Sequence, residues 1–224
     1  MKLLALDTST ENCSLALWLD GEVVSRQELA GQRHSDLILP MLEALLGDAE
    51  MTLGALDGIA FGAGPGSFTG LRIGCGVAQG LALGANLPVL GISTLLALAA
   101  AAPGERVIAC LDARIGEIYH AAYELRDGRW FTISEPSLGL AQDAPVVGGT
   151  GWVGVGSGFS AYGEALQARY AGQLAFSNGG VYPQAQEMAK LAAPLFGQGL
   201  GQDAALAAPL YIRNKVALKM SERK

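Results

Sequence analysis

The sequence has few of the residues from which metal sites and nucleophile sites are built. Its 224 residues include only two histidines, His34 and His120, and three cysteines, none of which forms a CxxC pair. No HExxH, GxSxG or GxxxxGK[ST] motif occurs, so the sequence predicts no zinc protease site, no hydrolase nucleophile elbow and no Walker A loop. The cysteines lie in apolar patterns, which is typical of buried free thiols in a reducing compartment.

Charged residues, aromatics and long apolar runs are also scarce. Charged residues make up 16% and aromatics 7% of the chain, and the net charge is −6, which argues against a surface that coats nucleic acid. The Ala/Leu-rich run 95–102 is too short to span a bilayer, and the start MKLLALDTST lacks the apolar core of a signal peptide. We therefore expect a soluble, cytoplasmic protein.

The C-terminal end differs in charge from the rest of the chain. Residues 213–224 carry Arg213, Lys215, Lys219, Arg223 and Lys224 against one Glu222. This basic tail is either a solvated chain end or a patch that contacts RNA or an acidic partner.

What the chain does contain predicts an α/β protein. Hydrophobic residues make up 50% and glycines number 31, enough to bury a core with many close backbone approaches. The first half predicts strands over 2–7, 13–19, 22–29, 58–62 and 88–92, and helices over 35–46 (capped by Ser35, with Pro40 near its first turn), 68–85 and 94–102 (capped by Ser93). Pro103-Gly104 predicts a boundary between domains 1–103 and 104–224.

An internal echo links the two halves. In each, an apolar strand ends on an aspartate, Asp7 or Asp112, crosses a short turn and returns, and an Asp-Gly hairpin follows. This pattern predicts a duplicated α/β unit in which Asp7 and Asp112 form a facing acidic pair. The second half then offers only a strand over 152–157 and helices near 160–170 and 183–197, so we expect the second copy to be reduced.

The segment 61-FGAGPGSFTGLRIG-74 permits two interpretations. It fails the GxGxxG fingerprint, because Thr69 stands where the third glycine should be. The helix that Ser67 or Thr69 would cap could still receive an anion at its N-terminus. Alternatively, the glycines only allow tight packing of strand against helix. The residues predicted to lie near such an anion are Asp7, Thr8, Ser9, Gly64, Gly66, Ser67, Thr69 and Arg72.

Two helices are candidates for a partner interface. Gly70, Gly74, Ala78 and Ala82 recur every four positions, which places a row of small side chains on one helix face. The helix 35–46 carries a wide apolar stripe. The predicted interface residues are His34, Leu37, Ile38, Met41, Leu42, Leu45, Phe68, Gly70, Leu71, Gly74 and Ala78. His34 is expected to be a surface or capping residue, and His120 to be structural.

Several segments taken together resemble the TsaB family, also known as YeaZ. They are 6-LDTST-10, 34-HSDLILPML-42, 62-GAGPGSFTGLRIG-74, 77-VAQGLALGANLPVLGISTL-95, 111-LDARIGEIY-119 and 209-PLYIR-213. The resemblance implies a duplicated actin-like, Hsp70-like fold of the ribonuclease H-like class. It also implies a role in forming threonylcarbamoyladenosine beside the anticodon of tRNA.

The resemblance further implies that the chain binds partner proteins and does not itself catalyse a reaction. Members of this family pair with the transferase TsaD, are joined by the ATPase TsaE, and form homodimers when alone. The relative TsaD carries an HxxxH metal pair where this chain has Thr94 and Leu98, so we expect a non-catalytic subunit without metal. We expect no cofactor on this chain alone, ATP or ADP with Mg at the level of the complex, and tRNA contact through the complex, the basic tail included.

Two other functions are left open by the residues. One is a nucleotide-hydrolysing actin-like enzyme that uses Asp7 and Thr8. The other is an M22-type metallopeptidase (glycoprotease), the older label of the family.

Overall fold

The computed structural model describes residues 1–213, which form ten strands and six α-helices. Of the basic tail only Arg213 falls within this part, so the prediction for the rest of the tail lies outside the described residues. The first sheet has the strand order β3-β2-β1-β4-β5. Its strands are β1 (Lys2–Asp7), β2 (Asn12–Leu19), β3 (Glu22–Leu29), β4 (Gly58–Gly64) and β5 (Val89–Ser93), and its helices are α1 (His34–Asp48), α2 (Phe68–Ala85) and α3 (Thr94–Ala100).

The second sheet repeats this topology. Its order β10-β9-β6-β7-β8 is the first order read from the other end, with β6 in the place of β1. Its strands are β6 (Arg106–Arg114), β7 (Glu117–Arg126), β8 (Arg129–Leu140), β9 (Trp152–Val155) and β10 (Leu174–Asn178). The helices of this half of the chain are α4 (Ser157–Ala161), α5 (Gly163–Arg169) and α6 (Ala185–Gly197), of which α6 packs on the first sheet. The predicted duplicated α/β fold is therefore confirmed.

The second copy is reduced at one identifiable place. Between β3 and β4 the first copy has the fifteen-residue helix α1, whereas between β8 and β9 the second has a single 3-10 turn, Ala141–Asp143. The helix predicted near 160–170 is two helices, α4 and α5, which meet at Tyr162. Strand β10 escaped prediction because LAFSN is short and largely exposed at the edge of the sheet.

The helices pack in three layers around the two sheets. Leu4 and Leu6 of β1 point into one core with α1 and α2, while Ala5 between them points into another core with α6. Helix α3 contributes Leu95 and Leu98 to the core of the second sheet. Helices α3 and α6 thus lie between the two sheets, and packing crosses the boundary predicted at 103/104.

Two helix starts agree with the sequence and one does not. The side chains of Ser67 and Ser93 cap α2 and α3 by accepting hydrogen bonds from the amides of Gly70 and Leu96 at 3.3 Å. Ser35, however, lies inside α1, which begins at His34 after an Arg33 that makes no side-chain cap. No helix within residues 1–213 is both long and apolar enough to cross a membrane.

Candidate functional site

The glycine segment between β4 and α2 packs directly on the turn between β1 and β2. The Ser67 amide donates to the Ser9 carbonyl oxygen at 2.7 Å, and the Thr8 hydroxyl donates to the Gly70 carbonyl oxygen at 2.7 Å. A methyl group added at Gly66 would lie 2.5 Å from the Ser9 carbonyl oxygen, and one at Gly70 would clash with the Thr8 carbonyl oxygen. These glycines therefore let two backbones touch, which supports the packing interpretation of the segment.

Asp7 lies beneath this contact and is sealed from solvent. Its side chain is fully buried, one carboxyl oxygen accepts from the Ser9 hydroxyl at 2.9 Å, and the other has no partner. Burial raises the pKa of Asp7 to about 7, against the lowering effect of hydrogen bonds from Ser9 and Thr8. A methyl group at Gly62 would clash with the unpartnered oxygen, so Gly62 lies directly against this side of the carboxyl.

The predicted acidic pair does not form. Asp112 lines a cleft between the two sheets, whereas Asp7 is not among the residues that line it. Asp112 is held by its own neighbours: it accepts from the Arg114 amide at 2.8 Å and from the Tyr162 hydroxyl at 3.1 Å. The predicted pairing was wrong because the repeat gives the two aspartates equivalent positions in their sheets but does not give them the same access to solvent.

The cleft itself is large and mixed in charge. It has a volume of about 1120 Å³, and its charged lining comprises Glu11, Asp112, Arg114 and Arg213. Of the residues predicted near an anion, Ser9, Gly66, Ser67 and Thr69 line the cleft, and Asp7, Thr8, Gly64 and Arg72 do not. The prediction of an anion site thus retains only hydroxyl and backbone groups in the cleft.

The row of small residues on α2 faces inward, which corrects its predicted use as an interface. A methyl group at Gly74 would lie 2.7 Å from the Thr8 hydroxyl oxygen, and Ala78 and Ala82 are fully buried in the core of the first sheet. The small residues are needed because β1 and its turn approach the helix closely. The predicted interface residues that are buried within the chain are His34, Ile38, Leu42, Leu45, Gly70, Leu71, Gly74 and Ala78.

The outward surface of α1 and α2 is a different set of residues. Gly76, Gly80 and Gly84 of α2 have no atom within 4 Å of the position of an added methyl group. Beside them lie half-buried and exposed apolar side chains. We call this surface the outer helical face; it comprises Leu37, Leu39, Met41, Phe68, Ile73, Gly76, Val77, Gly80, Leu83 and Gly84.

The outer helical face combines exposed apolar side chains with open glycines. Leu83 is 60% exposed, Leu39 47% and Phe68 42%. Each exposed glycine costs a helix about 1 kcal/mol relative to alanine, so three of them at intervals of four imply a gain elsewhere. The interval was visible in the sequence, but the inner row has the same period and drew the prediction to the wrong face. Leu37, Met41 and Phe68 are the predicted interface residues that this face retains.

Thr94 and Leu98, the positions that match the HxxxH metal pair of TsaD, make contacts inside this chain. The Thr94 hydroxyl accepts a hydrogen bond from the Gly64 amide at 3.1 Å, and Leu98 is fully buried in the core of the second sheet. Within residues 1–213 no group of three histidine, cysteine or carboxylate side chains lies close enough together to hold a metal ion.

Both histidines are buried. His120 contacts the Tyr170 hydroxyl at 2.7 Å, and burial lowers the pKa of His120 to about 4, in agreement with the prediction that it is structural. His34 is only 6% exposed and its Nε2 has no partner within the described residues. The expectation that His34 is a surface or capping residue was wrong, because α1 begins at His34 itself after the cap position of Arg33, and the buried side chain lines the cleft.

Comparison with known proteins gives one consistent family. A sequence profile described as TsaD, tRNA N6-adenosine threonylcarbamoyltransferase, matches residues 21–218. The tRNA threonylcarbamoyladenosine biosynthesis protein TsaB of Escherichia coli K12 is 39% identical over 98% of this chain and 97% of its own length. The TsaB of Haemophilus influenzae is also 39% identical, over 98% of this chain and 96% of its own.

Solved structures agree with the sequence relatives. YeaZ from Pseudomonas aeruginosa superposes with a TM-score of 0.87 at 38% identity, over 94% of this chain and 99% of its own. A crystal structure of a protein with similarity to peptidase YEAZ, also from Pseudomonas aeruginosa, gives a TM-score of 0.88 at 37% identity, over 95% and 99% of the two chains.

Proposed function

Because the chain belongs to the TsaB (YeaZ) family of tRNA threonylcarbamoyladenosine biosynthesis proteins, we propose that it serves this modification as a non-catalytic subunit that pairs with the transferase TsaD. Because tRNA is the substrate of this modification, we expect the chain to act in the cytoplasm. The observation that carries the proposal is the contrast between Asp7, which is buried and does not line the cleft, and the exposed, apolar outer helical face. A chain with this arrangement is built to bind a partner rather than to perform the chemistry.

The proposed docking surface is the outer helical face of α1 and α2. Glycines at Gly76, Gly80 and Gly84 leave the backbone of α2 uncovered, so a partner helix can approach at short interaxial distance. The exposed side chains of Leu39, Phe68 and Leu83 supply apolar area to bury. Contiguous apolar surface of this kind marks an interaction site.

The same face forms a homodimer when TsaD is absent, because burying an exposed apolar surface against a second copy lowers the free energy. TsaD and the second copy then compete for one surface. Sedimentation of the chain alone should show a dimer, and addition of TsaD should replace it with a heterodimer. A complex in which one TsaD binds an intact dimer of this chain would contradict the proposal that TsaD and the second copy use the same surface.

The alternative of nucleotide hydrolysis is disfavoured by Asp7. A carboxylate that binds Mg-nucleotide must reach the cleft, but this one is buried and confined by Gly62. We therefore propose that the chain alone binds no nucleotide or metal, and that any ATP, ADP or Mg is held by the complex with TsaD and TsaE. Tight binding of Mg-ATP to the isolated chain, lost in Asp7→Ala, would overturn this part of the proposal.

Reconstitution tests the proposed function directly. TsaD, TsaE, tRNA, ATP and the threonylcarbamoyl-adenylate donor are incubated with and without this chain, and modified adenosine is measured after nuclease digestion. We expect modification only when the chain is present. A Thr94→Ala variant, which alters the position that matches a metal ligand of TsaD, should retain full activity once its folding is verified. Modification without the chain would contradict the proposal.

A further inference from the structure

The last described residues cross the cleft between the two sheets. We call the first sheet with α1 and α2 the first subdomain, and the second sheet with α4 and α5 the second subdomain. Residues 209–213 begin beside β4 and α2 of the first subdomain and end beside the β6–β7 hairpin of the second. The cleft is lined in part by Leu210, Tyr211 and Arg213, so the segment forms one of its walls.

The first anchor of this segment lies on the glycine turn and on α2. The Leu210 amide donates to the Ala63 carbonyl oxygen at 2.6 Å, and a methyl group at Gly64 would lie 2.6 Å from the Leu210 carbonyl oxygen. The Tyr211 ring lies 5.6 Å from that of Phe68, and its hydroxyl accepts from Arg72 Nε at 3.0 Å. Backbone and side chain together fix this end.

The second anchor lies on the other subdomain. Ile212 packs against the core of the second sheet. Arg213 donates to the Ala113 carbonyl oxygen at 3.0 Å and pairs with Glu117 at 2.7 Å. The Arg213 side chain is only 16% exposed, so this pair is screened less by water than a surface ion pair.

We propose that residues 209–213 act as a latch that holds the two subdomains at a fixed separation and covers Gly64. The two anchors are adjacent in sequence, and an extended chain spans at most about 3.6 Å per residue. No slack therefore remains between Tyr211 and Ile212, and the cleft cannot open by several ångströms without breaking one anchor. Helices α3 and α6, packed between the sheets, would remain as the hinge.

The first anchor shares Phe68 with the outer helical face. A partner that covers Phe68 therefore competes with Tyr211 for the same ring, and docking would loosen the latch. This consequence rests on the proposed function, whereas the latch itself does not, and its test uses the isolated chain.

Inter-subdomain distances measure the latch. Spin labels are placed on cysteines introduced at the exposed positions Thr52 and Gln167; the native Cys13, Cys75 and Cys110 are buried and should not react. An excess of unlabelled chain restricts the signal to distances within one molecule. A chain that stops after Ala208 lacks the latch, and a chain that stops after Arg213 keeps it as a matched control.

We expect the chain ending at Arg213 to give the distance distribution of the full chain. The chain ending at Ala208 should give a longer mean distance and a broader distribution. An unchanged distribution in the chain ending at Ala208, with its helix content intact by circular dichroism, would overturn the proposal.

Single substitutions keep the test decisive if the shorter chain does not fold. Tyr211→Ala removes the aromatic part of the first anchor, and Arg213→Ala removes the ion pair of the second. Because the latch needs both anchors, weakening either one should widen the distribution, and the double variant should widen it by less than the sum of the two single effects. Additive effects, or none, would show that the contacts are independent surface contacts and would overturn the latch.

Discussion

The two faces of helix α2 carry the same residue type at the same spacing and do opposite things. On the inner face, Gly70 and Gly74 are buried against the turn after β1. On the outer face, Gly76, Gly80 and Gly84 have open space around them. The inner glycines are required by contacts inside the chain, and no contact inside the described residues requires the outer ones.

This difference shows that the surroundings of a row of small residues, rather than its spacing, determine its structural role. Gly70 and Gly76 are six positions apart, about 240° around a helix, so one helix presents both rows to different surroundings. A glycine at which an added methyl group would clash with the rest of the chain is required by the fold. A glycine that is left open lowers the stability of the helix, and under the proposed function it leaves room for a partner.

The largest effect should come from filling the inner face. Gly70→Ala places a methyl group against the Thr8 carbonyl oxygen and displaces the Gly70 carbonyl from the Thr8 hydroxyl. Since a backbone oxygen cannot move aside like a side-chain end, we expect a loss of at least about 3 kcal/mol in the free energy of unfolding. Urea unfolding followed by circular dichroism measures it. A loss below about 1 kcal/mol would mean that the inner face is not tightly packed.

A second test concerns the acid sealed under the inner face. Burial raises the pKa of Asp7 to about 7 from an ordinary value of 3.8. The folded state therefore holds the proton more tightly than the unfolded state. This contribution to stability is complete below pH 3.8 and is lost as the pH rises through about 7.

Between pH 5 and pH 8 the native chain should lose about 3 kcal/mol of stability relative to Asp7→Asn, which does not titrate. Unfolding curves of both chains across this range give the difference. A difference that is constant with pH would show that Asp7 is in contact with solvent, and the inner side of α2 would not be sealed.

The smallest effect has the opposite sign and belongs to the outer face. Gly80→Ala adds a methyl group that meets no atom and removes the backbone freedom of glycine in a helix. We expect the isolated chain to gain about 1 kcal/mol of stability. Thermal unfolding beside Gly70→Ala makes the pair a matched comparison of one substitution on two faces. A destabilised Gly80→Ala chain would place Gly80 inside the fold.

Much of the fold could be predicted because it depends on local patterns. The alternating apolar strands, the Asp-Gly hairpins at Asp20 and Asp127, and the serines that cap α2 and α3 all encode structure within a few residues. The repeated strand-turn-strand unit then gave the duplication. What could not be predicted was β10, whose short exposed sequence is organised by pairing with β9 rather than by its own residues.

The site was harder to predict because its meaning depends on contacts between distant segments. The periodicity of α2 predicted one row of small residues, but it could not show that this row faces Thr8, sixty-two residues from Gly70. In the same way, the echo between Asp7 and Asp112 gave their places in two sheets but not the burial of one and the exposure of the other to the cleft. Solvent access is a property of the assembled chain.

The central claim is that the outer helical face binds TsaD, and one affinity measurement tests it most directly. TsaD is titrated with the native chain, with Gly80→Trp, and with Gln167→Trp, which carries the same bulk on exposed α5 of the second subdomain. We predict that Gly80→Trp weakens binding at least tenfold, about 1.4 kcal/mol, without lowering the stability of the isolated chain, and that Gln167→Trp binds like the native chain. Equal affinity for all three chains would contradict the account.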